Sequence, residues 1–304
     1  MKLRIGTRAS ALALAQTGWV AQRIRDATPG IEVEIVRIKT SGDRIRDVSL
    51  AQVGGKGLFV KEIESALLAR EIDCAVHSMK DLPGEIPAGL GVVAVPQRED
   101  PRDVLITCGP LRPALRSGMR VGTCSPRRAA LLLAWGVGIE IVPLRGNVGT
   151  RLDKVRAGEV DATLLAAAGL RRLGLEPPNR EALAPEKFVP AVGQGTLAIE
   201  ARAGEFEDVL GVIEDPVSRI AADAERAFLI GVDGNCVTPL AAFARVAEGR
   251  VTLDAVIAHP TGAPILRERD SAPVAEAARL GSDLAERLLG RGGAELLRSL
   301  DLRP

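Results

Sequence analysis

Short apolar segments that favour β-strands alternate with helical segments along the first part of the chain, and this alternation constrains the fold most. Leu3–Ile5 predicts a strand, a helix follows from about Ser10 to Asp26, and Ile31–Ile38 predicts the next strand. The order recurs further along, where Val104–Ile106 and Ile139–Val142 predict strands. This alternation is typical of parallel sheets with helices on their faces, so we expect an α/β fold.

The C-terminal part of the chain has a different pattern. At 304 residues the chain exceeds the usual size of one domain, so two or three domains are expected. Leu240–Val246 and Val251–Ile257 predict a strand pair, and Pro273–Leu289 predicts an amphipathic helix. This part therefore predicts a small α+β domain.

A polar segment, His77–Asp81, directly follows the apolar strand predicted at Ile72–Val76, and Pro83 and Gly84 then end regular structure. Ligands of open α/β sheets bind at the carboxyl ends of strands, so this segment is a candidate site. A surface turn with a solvated Lys-Asp pair explains these residues equally well.

Several loops combine basic side chains with glycines or hydroxyl groups, which favours anion binding through free backbone N–H groups. They are the loops around Arg8, Lys56, Arg127 and Arg151. No GxxxxGK[ST] motif is present, so a nucleotide-binding P-loop is not predicted. With a net charge of only +1, repeated basic loops favour a multi-anionic ligand between two domains over scattered solvated arginines.

Composition argues against other classes of protein. Forty basic and 39 acidic side chains give no basic field, and aromatic residues make up only 2%, so we expect no nucleic-acid binding. No apolar run is long enough to span a membrane, and the N-terminus lacks a signal-peptide pattern. Four cysteines without metal-binding spacing and two histidines predict no metal site and a reducing cytoplasm. Cys236 lies in a Gly/Asn loop, where an accessible reactive thiol and an idle one are equally compatible with the sequence.

Taken together, the motifs resemble those of the porphobilinogen deaminase (hydroxymethylbilane synthase) family, in order and spacing, over nearly the whole chain. The matching segments are Thr7–Ser10, Val53–Glu62, His77–Asp81, Arg98–Asp103, Leu144–Leu152, Ala191–Gly195 and the loop around Cys236. The resemblance implies two α/β domains like those of periplasmic binding proteins, crossed twice by the chain, and a small α+β C-terminal domain. We expect the domains to comprise residues 1–97 with 194–214, 98–193, and 215–304. The resemblance also implies that the protein is a monomer in the cytoplasm.

The resemblance further implies a transferase of tetrapyrrole (haem, chlorophyll, cobalamin) biosynthesis. Such an enzyme joins four porphobilinogen units head to tail, with loss of ammonia, and releases hydroxymethylbilane. Its primer is a dipyrromethane cofactor made from substrate and held by a thioether, here to Cys236, with no metal.

The family's site residues carry over to matching positions. Asp81 is the expected catalytic residue, because a carboxylate beside a pyrrole N–H stabilises developing positive charge. The expected cofactor-binding residues are Cys236, Lys80, Asp81, Thr123, Ser125, Arg127, Arg128, Arg145 and Gly146. The expected substrate-binding residues are Arg8, Ser10, Lys56, Phe59, Asn147, Arg151 and Gln194. The resemblance assigns His77 no necessary task.

Two positions depart from the family pattern. Asn235 replaces a common glycine before Cys236, and Cys124 stands where serine is common, which adds a second thiol near the cofactor positions. The main alternative function is a binding protein of the same architecture that senses an anionic ligand without catalysis. The absence of a recognisable DNA-binding segment argues against a regulator.

Overall fold

A computed structural model describes residues 1–44, 60–108, 115–235 and 238–300. The strands are β1 (Lys2–Arg8), β2 (Glu32–Ile38), β3 (Cys74–Ser78), β4 (Leu90–Ala94), β5 (Asp103–Thr107), β6 (Arg120–Gly122), β7 (Glu140–Val142), β8 (Ala162–Ala166), β9 (Arg180–Ala182), β10 (Leu197–Arg202), β11 (Leu240–Ala247), β12 (Arg250–Ala258) and β13 (Ile265–Pro273). The helices are α1 (Ala11–Ala27), α2 (Ser41–Arg44), α3 (Lys61–Leu68), α4 (Pro126–Leu133), α5 (Val148–Arg156), α6 (Ala167–Arg172), α7 (Glu207–Leu210), α8 (Pro216–Gly231), α9 (Ala277–Leu288) and α10 (Ala294–Ser299).

The first sheet has the strand order β2-β1-β3-β10-β4 and is mixed rather than parallel. Strand β1 runs parallel to both β2 and β3, as the alternation of strands and helices predicts. Strand β10 runs antiparallel to β3 and β4. The parallel arrangement expected from the alternation therefore holds for β1, β2 and β3 but not for β10, which enters this sheet from a distant part of the chain.

The second sheet repeats this design, with the order β7-β6-β8-β5-β9. Strand β6 is parallel to β7 and β8, whereas β5 pairs antiparallel with β8 and β9. The third sheet, β11-β12-β13, is antiparallel, and its core includes residues of α8 and α9. Two α/β units followed by a small α+β unit confirm the predicted fold class.

Local sequence signals explain several helix ends. Ser10 caps α1, and its side chain accepts a hydrogen bond from the Ala13 N–H group. Ser125 caps α4 in the same way, and Pro126 occupies the first turn. The predicted start of the C-terminal helix at Pro273 is wrong, because this residue ends β13 and α9 begins at Ala277.

Trp19 on α1 does not lie in the core, because its side chain is 39% exposed and the Arg23 guanidinium lies 5.2 Å from the centre of its ring. The apolar face of α1 is instead formed by smaller residues, such as Val20 and Ile24. No helix in the described parts of the chain is long and apolar enough to cross a membrane.

The first and second sheets are linked by two segments outside the helices and strands, one between β4 and β5 and one that leads into β10. We call them the first crossing, residues 95–102, and the second crossing, residues 189–196. Gly195 has a φ of +88°, and a Cβ atom there would overlap the carbonyl oxygen of Glu99. A glycine is therefore required where the two crossings touch.

Candidate active site

The segment at the end of β3 folds differently from the loop that the sequence predicts. Strand β3 continues through His77 and Ser78, and Met79–Asp81 forms one turn of 3-10 helix. His77 is therefore buried in the sheet, 5% exposed, with its Nε2 atom 3.0 Å from Oε2 of Glu200. The expectation that His77 belongs to the loop is wrong, whereas Lys80 and Asp81 do project beyond the strand.

Asp81 lines two cavities. The larger one has a volume of about 740 Å³ and the smaller one about 60 Å³. Of the predicted site residues, the larger cavity is lined by Lys80, Asp81, Ser125, Arg127, Arg128 and Gln194. The smaller cavity is lined by Arg8, Ser10 and Asp81. Asp81 therefore forms part of the wall of both cavities.

Lys80 lies in the larger cavity with its Nζ atom 3.4 Å from Oε1 of Gln194. Burial lowers the pKa of the Lys80 ammonium to about 8, against the opposing attraction of Asp81, and the Arg128 charge lowers it further. A bound carboxylate would stabilise the charged form of the Lys80 ammonium. Lys80 is therefore suited to hold an anionic group.

Arg127 and Arg128 share the buried carboxylate of Asp103. Arg127 Nη2 donates to Asp103 Oδ1 at 3.1 Å, and Arg128 Nε donates to the same oxygen at 2.8 Å. Burial alone would raise the pKa of Asp103, but the two guanidinium groups outweigh burial and lower it to about 2. Asp103 thus fixes both arginines in the cavity wall.

The two arginines differ in how many of their N–H donors are already used within the protein. Arg127 also donates to the Val189 carbonyl at 2.7 Å and stacks its guanidinium 5.6 Å from the centre of the Phe188 ring. Arg128 donates to the Leu164 carbonyl at 2.8 Å. Much of their donor capacity is therefore used within the protein, which makes Arg127 in particular a structural residue as well as a candidate ligand.

Five predicted residues lie in neither cavity wall: Thr123, Arg145, Gly146, Asn147 and Arg151. Asn147 caps α5 by accepting from the Thr150 N–H group at 2.9 Å. Arg151 donates through Nε to the Gly146 carbonyl at 2.9 Å, and burial lowers its pKa. Thr123 is 5% exposed and accepts a hydrogen bond from the Ser125 N–H group at 3.1 Å.

Three predicted residues, Lys56, Phe59 and Cys236, lie outside the described residues. The chain on either side of Cys236 does line the larger cavity, through Gly234, Asn235 and Thr238. Asn235 and Thr238 are joined by hydrogen bonds, including one of 3.0 Å from the Asn235 N–H group to the Thr238 hydroxyl.

Sequence reasoning missed polar residues that lie within regular elements. Gln16 is 4% exposed, lines the smaller cavity, and donates through Nε2 to the Ser78 hydroxyl at 2.9 Å. Glu64 on α3 lines the larger cavity, and Glu200 on β10 is fully buried. The sequence signal that could have identified these residues is a polar side chain on the apolar face of a helix or strand.

Two family models match the chain. "Porphobilinogen deaminase, dipyromethane cofactor binding domain" matches residues 3–209, and "Porphobilinogen deaminase, C-terminal domain" matches residues 220–290. Curated relatives called porphobilinogen deaminase include that of Syntrophotalea carbinolica, 48% identical over 99% of this chain and 97% of its own. The porphobilinogen deaminase of Geobacter sulfurreducens is 48% identical over 97% of this chain and 94% of its own. Among solved structures, the amino-acid transporter binding protein ytmK of Bacillus subtilis has a TM-score of 0.41 at 11% identity, covering 69% of this chain and 89% of that one.

Proposed function

The chain belongs to the porphobilinogen deaminase family, and from this premise we propose that it joins porphobilinogen units head to tail on a dipyrromethane primer. Four additions and a final hydrolysis give hydroxymethylbilane, the open-chain precursor of tetrapyrroles. The observation that supports this function most directly is the position of Asp81 between two cavities. A reaction that joins two rings needs its charged catalytic group beside both.

The sizes of the cavities support different occupants. The larger cavity, about 740 Å³, is within the usual range for pockets that hold drug-sized ligands, so it has room for a dipyrromethane. The smaller one, about 60 Å³, equals roughly two water molecules in volume. It suits a single acid side chain of the incoming substrate, next to Arg8.

Each addition breaks the bond between the aminomethyl carbon of porphobilinogen and its nitrogen, which leaves as ammonia. The terminal ring of the bound primer would supply the unsubstituted α-carbon that bonds to the electron-poor methylene carbon, and its hydrogen would be lost as a proton. Positive charge spreads over the pyrrole ring during this step. The carboxylate of Asp81 stabilises that charge, and a fixed carboxylate in a partly enclosed cavity does so more effectively than water.

The residues of the larger cavity fit the dipyrromethane. Its acid side chains need cationic partners, and Lys80, Arg127 and Arg128 supply them. When bound through Cys236, the dipyrromethane supplies the nucleophilic α-carbon and a covalent anchor for the chain. The remaining proposed contacts to primer or substrate are Arg8, Ser10, Lys56, Phe59, Thr123, Ser125, Arg145, Gly146, Asn147, Arg151 and Gln194.

The domain boundaries are part of the proposal: residues 1–97 with 194–214, residues 98–193, and residues 215–304. They are supported by the three sheets, since each range contains the strands of one sheet. We also propose a monomer in the cytoplasm. The free thiols of Cys74, Cys108 and Cys124 are compatible with a reducing compartment. Light scattering of the purified protein measures the oligomeric state.

The mass of the intact protein tests the proposed function. We expect active protein to exceed the mass of the bare chain by two pyrrole units and to form hydroxymethylbilane from porphobilinogen. Cys236→Ser should abolish the excess, and the matched control Cys124→Ser should retain it. The bare mass in an active preparation would contradict the covalent primer. Binding of porphobilinogen without release of ammonia would instead support the anion-sensing alternative.

A further inference from the structure

Glu64 is a buried carboxylate in the wall of a cavity that otherwise suits carboxylate ligands. It lies on α3, is only 9% exposed, and lines the larger cavity together with Lys80 and Asp81. Among the described residues, none donates a hydrogen bond to its carboxylate or forms an ion pair with it within 4 Å. A buried acid without a partner is costly unless a ligand supplies one.

A second carboxylate behind Glu64 makes the shortage of positive charge greater. The side chain of Glu200 is completely buried, and neither of its oxygens accepts a hydrogen bond in the described structure. Among the described residues, its ion-pair partner within 4 Å is the imidazole of His77, 3.0 Å away, and the charge of Arg226 also interacts with it. Burial raises the pKa of Glu64, the charge of Glu200 raises it further, and His77 opposes the shift. The charges of Glu64, Glu200 and His77 therefore influence one another beside the cavity.

The growing chain is a poor partner for Glu64, because its acid side chains repel a carboxylate. The cationic side chain nearest in sequence, Lys61, lines the same cavity but forms no ion pair with Glu64 within 4 Å. A small cation with several N–H donors fits better, since it satisfies the exposed oxygens of Glu64 without bringing negative charge. The chemistry of the proposed function produces one such cation in every addition.

We propose that Glu64 is the binding site for the ammonium ion released in each addition, with Glu200 maintaining the negative potential behind it. This inference rests on the proposed function. The balance of the step requires no further reagent. The aminomethyl group reacts in its protonated form, so neutral ammonia leaves when the carbon–nitrogen bond breaks. The terminal ring releases a proton when the new carbon–carbon bond forms, and ammonia takes up that proton to give ammonium.

Such a site has a chemical purpose. Unprotonated ammonia is a nucleophile, and beside the electron-poor methylene carbon it would re-form the bond that has just broken. Ammonium has no lone pair and cannot attack. A carboxylate that favours the protonated form therefore keeps the leaving group from returning until it leaves the cavity.

Ammonium binding is tested with ammonium chloride against potassium chloride at equal ionic strength, using the full-length protein that carries its primer. We expect ammonium to raise the melting temperature and to slow porphobilinogen consumption more than potassium does. In Glu64→Gln, each effect should require an ammonium concentration roughly tenfold higher or more, because the substitution removes a charged hydrogen bond. The control Glu71→Gln changes an exposed residue just beyond α3 and should respond as the unchanged protein does.

Equal responses of the unchanged protein and Glu64→Gln would overturn the inference, as would equal responses to ammonium and potassium. If Glu64→Gln does not fold, Glu64→Asp replaces it. The shorter side chain withdraws the carboxylate from the cavity, so an undiminished ammonium response would equally overturn the inference. Failure of the proposed function is recognised separately, since the unchanged protein would then not consume porphobilinogen in potassium chloride.

Discussion

The carboxylate of Glu225 accepts a hydrogen bond of 2.6 Å from the backbone N–H group of Gly193. Glu225 lies on α8 and is fully buried, whereas Gly193 belongs to the second crossing. The same carboxylate pairs with Arg98 of the first crossing at 2.6 Å and accepts from the Ala244 N–H group at 2.8 Å. One side chain of the C-terminal unit thus joins both crossings to β11.

The second crossing in turn contacts the catalytic segment. Gly193 has a φ of +69°, and a Cβ atom there would lie 2.8 Å from Cγ of Met79 and 3.1 Å from the Lys80 nitrogen. The second crossing therefore packs directly against the turn that carries Asp81. The hydrogen bond from Gly193 to Glu225 ties this crossing to the C-terminal unit.

Glu225→Gln should destabilise the protein by roughly 3–5 kcal/mol, because it leaves the Arg98 guanidinium without its buried counter-charge. Urea unfolding measures the change in the free energy of unfolding. The matched control is Asp153→Asn, which removes an exposed ion pair with Arg156 and should cost less than about 1 kcal/mol. Similar losses in the two variants would show that Glu225 does not join the crossings as described.

Asp81→Asn should lower kcat by about a hundredfold or more, since the amide cannot stabilise the positive charge of the reacting ring. The covalent primer should remain, because Asp81 is not its attachment point, and intact mass measures this. Asp208→Asn on exposed α7 is the control and should leave turnover unchanged. Turnover of Asp81→Asn close to that of the control would refute the assigned role.

Local features of the site could be predicted from the sequence. The caps at Ser10 and Ser125 follow from short-range side-chain chemistry, which a sequence carries directly. The strand that precedes Asp81 was also predicted, although it ends at Ser78 rather than Val76. The sequence assigns the polar residue His77 to a loop, because its buried partner Glu200 lies in a distant part of the chain.

Contacts between distant residues could not be predicted in this way. His77 is buried because Glu200 on β10 meets it across the sheet, and Arg127 is held by the carbonyl of Val189 in the second crossing. Periodicity describes one element at a time, and the family resemblance assigns roles without giving hydrogen-bond partners. Strand β10 runs antiparallel to β3, and this pairing depends on how the chain returns to the first sheet.

Arg127 and Arg151 should respond differently to replacement by methionine. Arg127→Met removes bonds to Asp103 and Val189 and should lower the free energy of unfolding by about 3 kcal/mol. Arg151→Met removes a hydrogen bond to Gly146 and should cost roughly 1 kcal/mol.

The proposed substrate contact of Arg151 predicts a roughly tenfold or greater rise in KM for porphobilinogen in Arg151→Met. Urea unfolding and steady-state kinetics separate the two effects. An unchanged KM in Arg151→Met would remove this residue from the proposed substrate site. A stability loss in Arg127→Met no larger than that in Arg151→Met would contradict the structural role of Arg127.

The lowered pKa of Lys80 predicts how stability depends on pH in protein without primer. The pKa is about 8 in the folded protein, because burial disfavours the charged form, and 10.5 in an ordinary lysine. Between these values the unfolded chain holds a proton that the folded protein has released, so the free energy of unfolding should rise with pH. Urea unfolding of Cys236→Ser at pH 7.5 and 9.5, with and without Lys80→Met, measures this contribution. We expect a larger rise when Lys80 is present, and protein that carries its primer should lose this difference, because the primer's carboxylates raise the pKa of Lys80. The same pH dependence with lysine and methionine at this position would contradict the lowered pKa of the buried Lys80 ammonium.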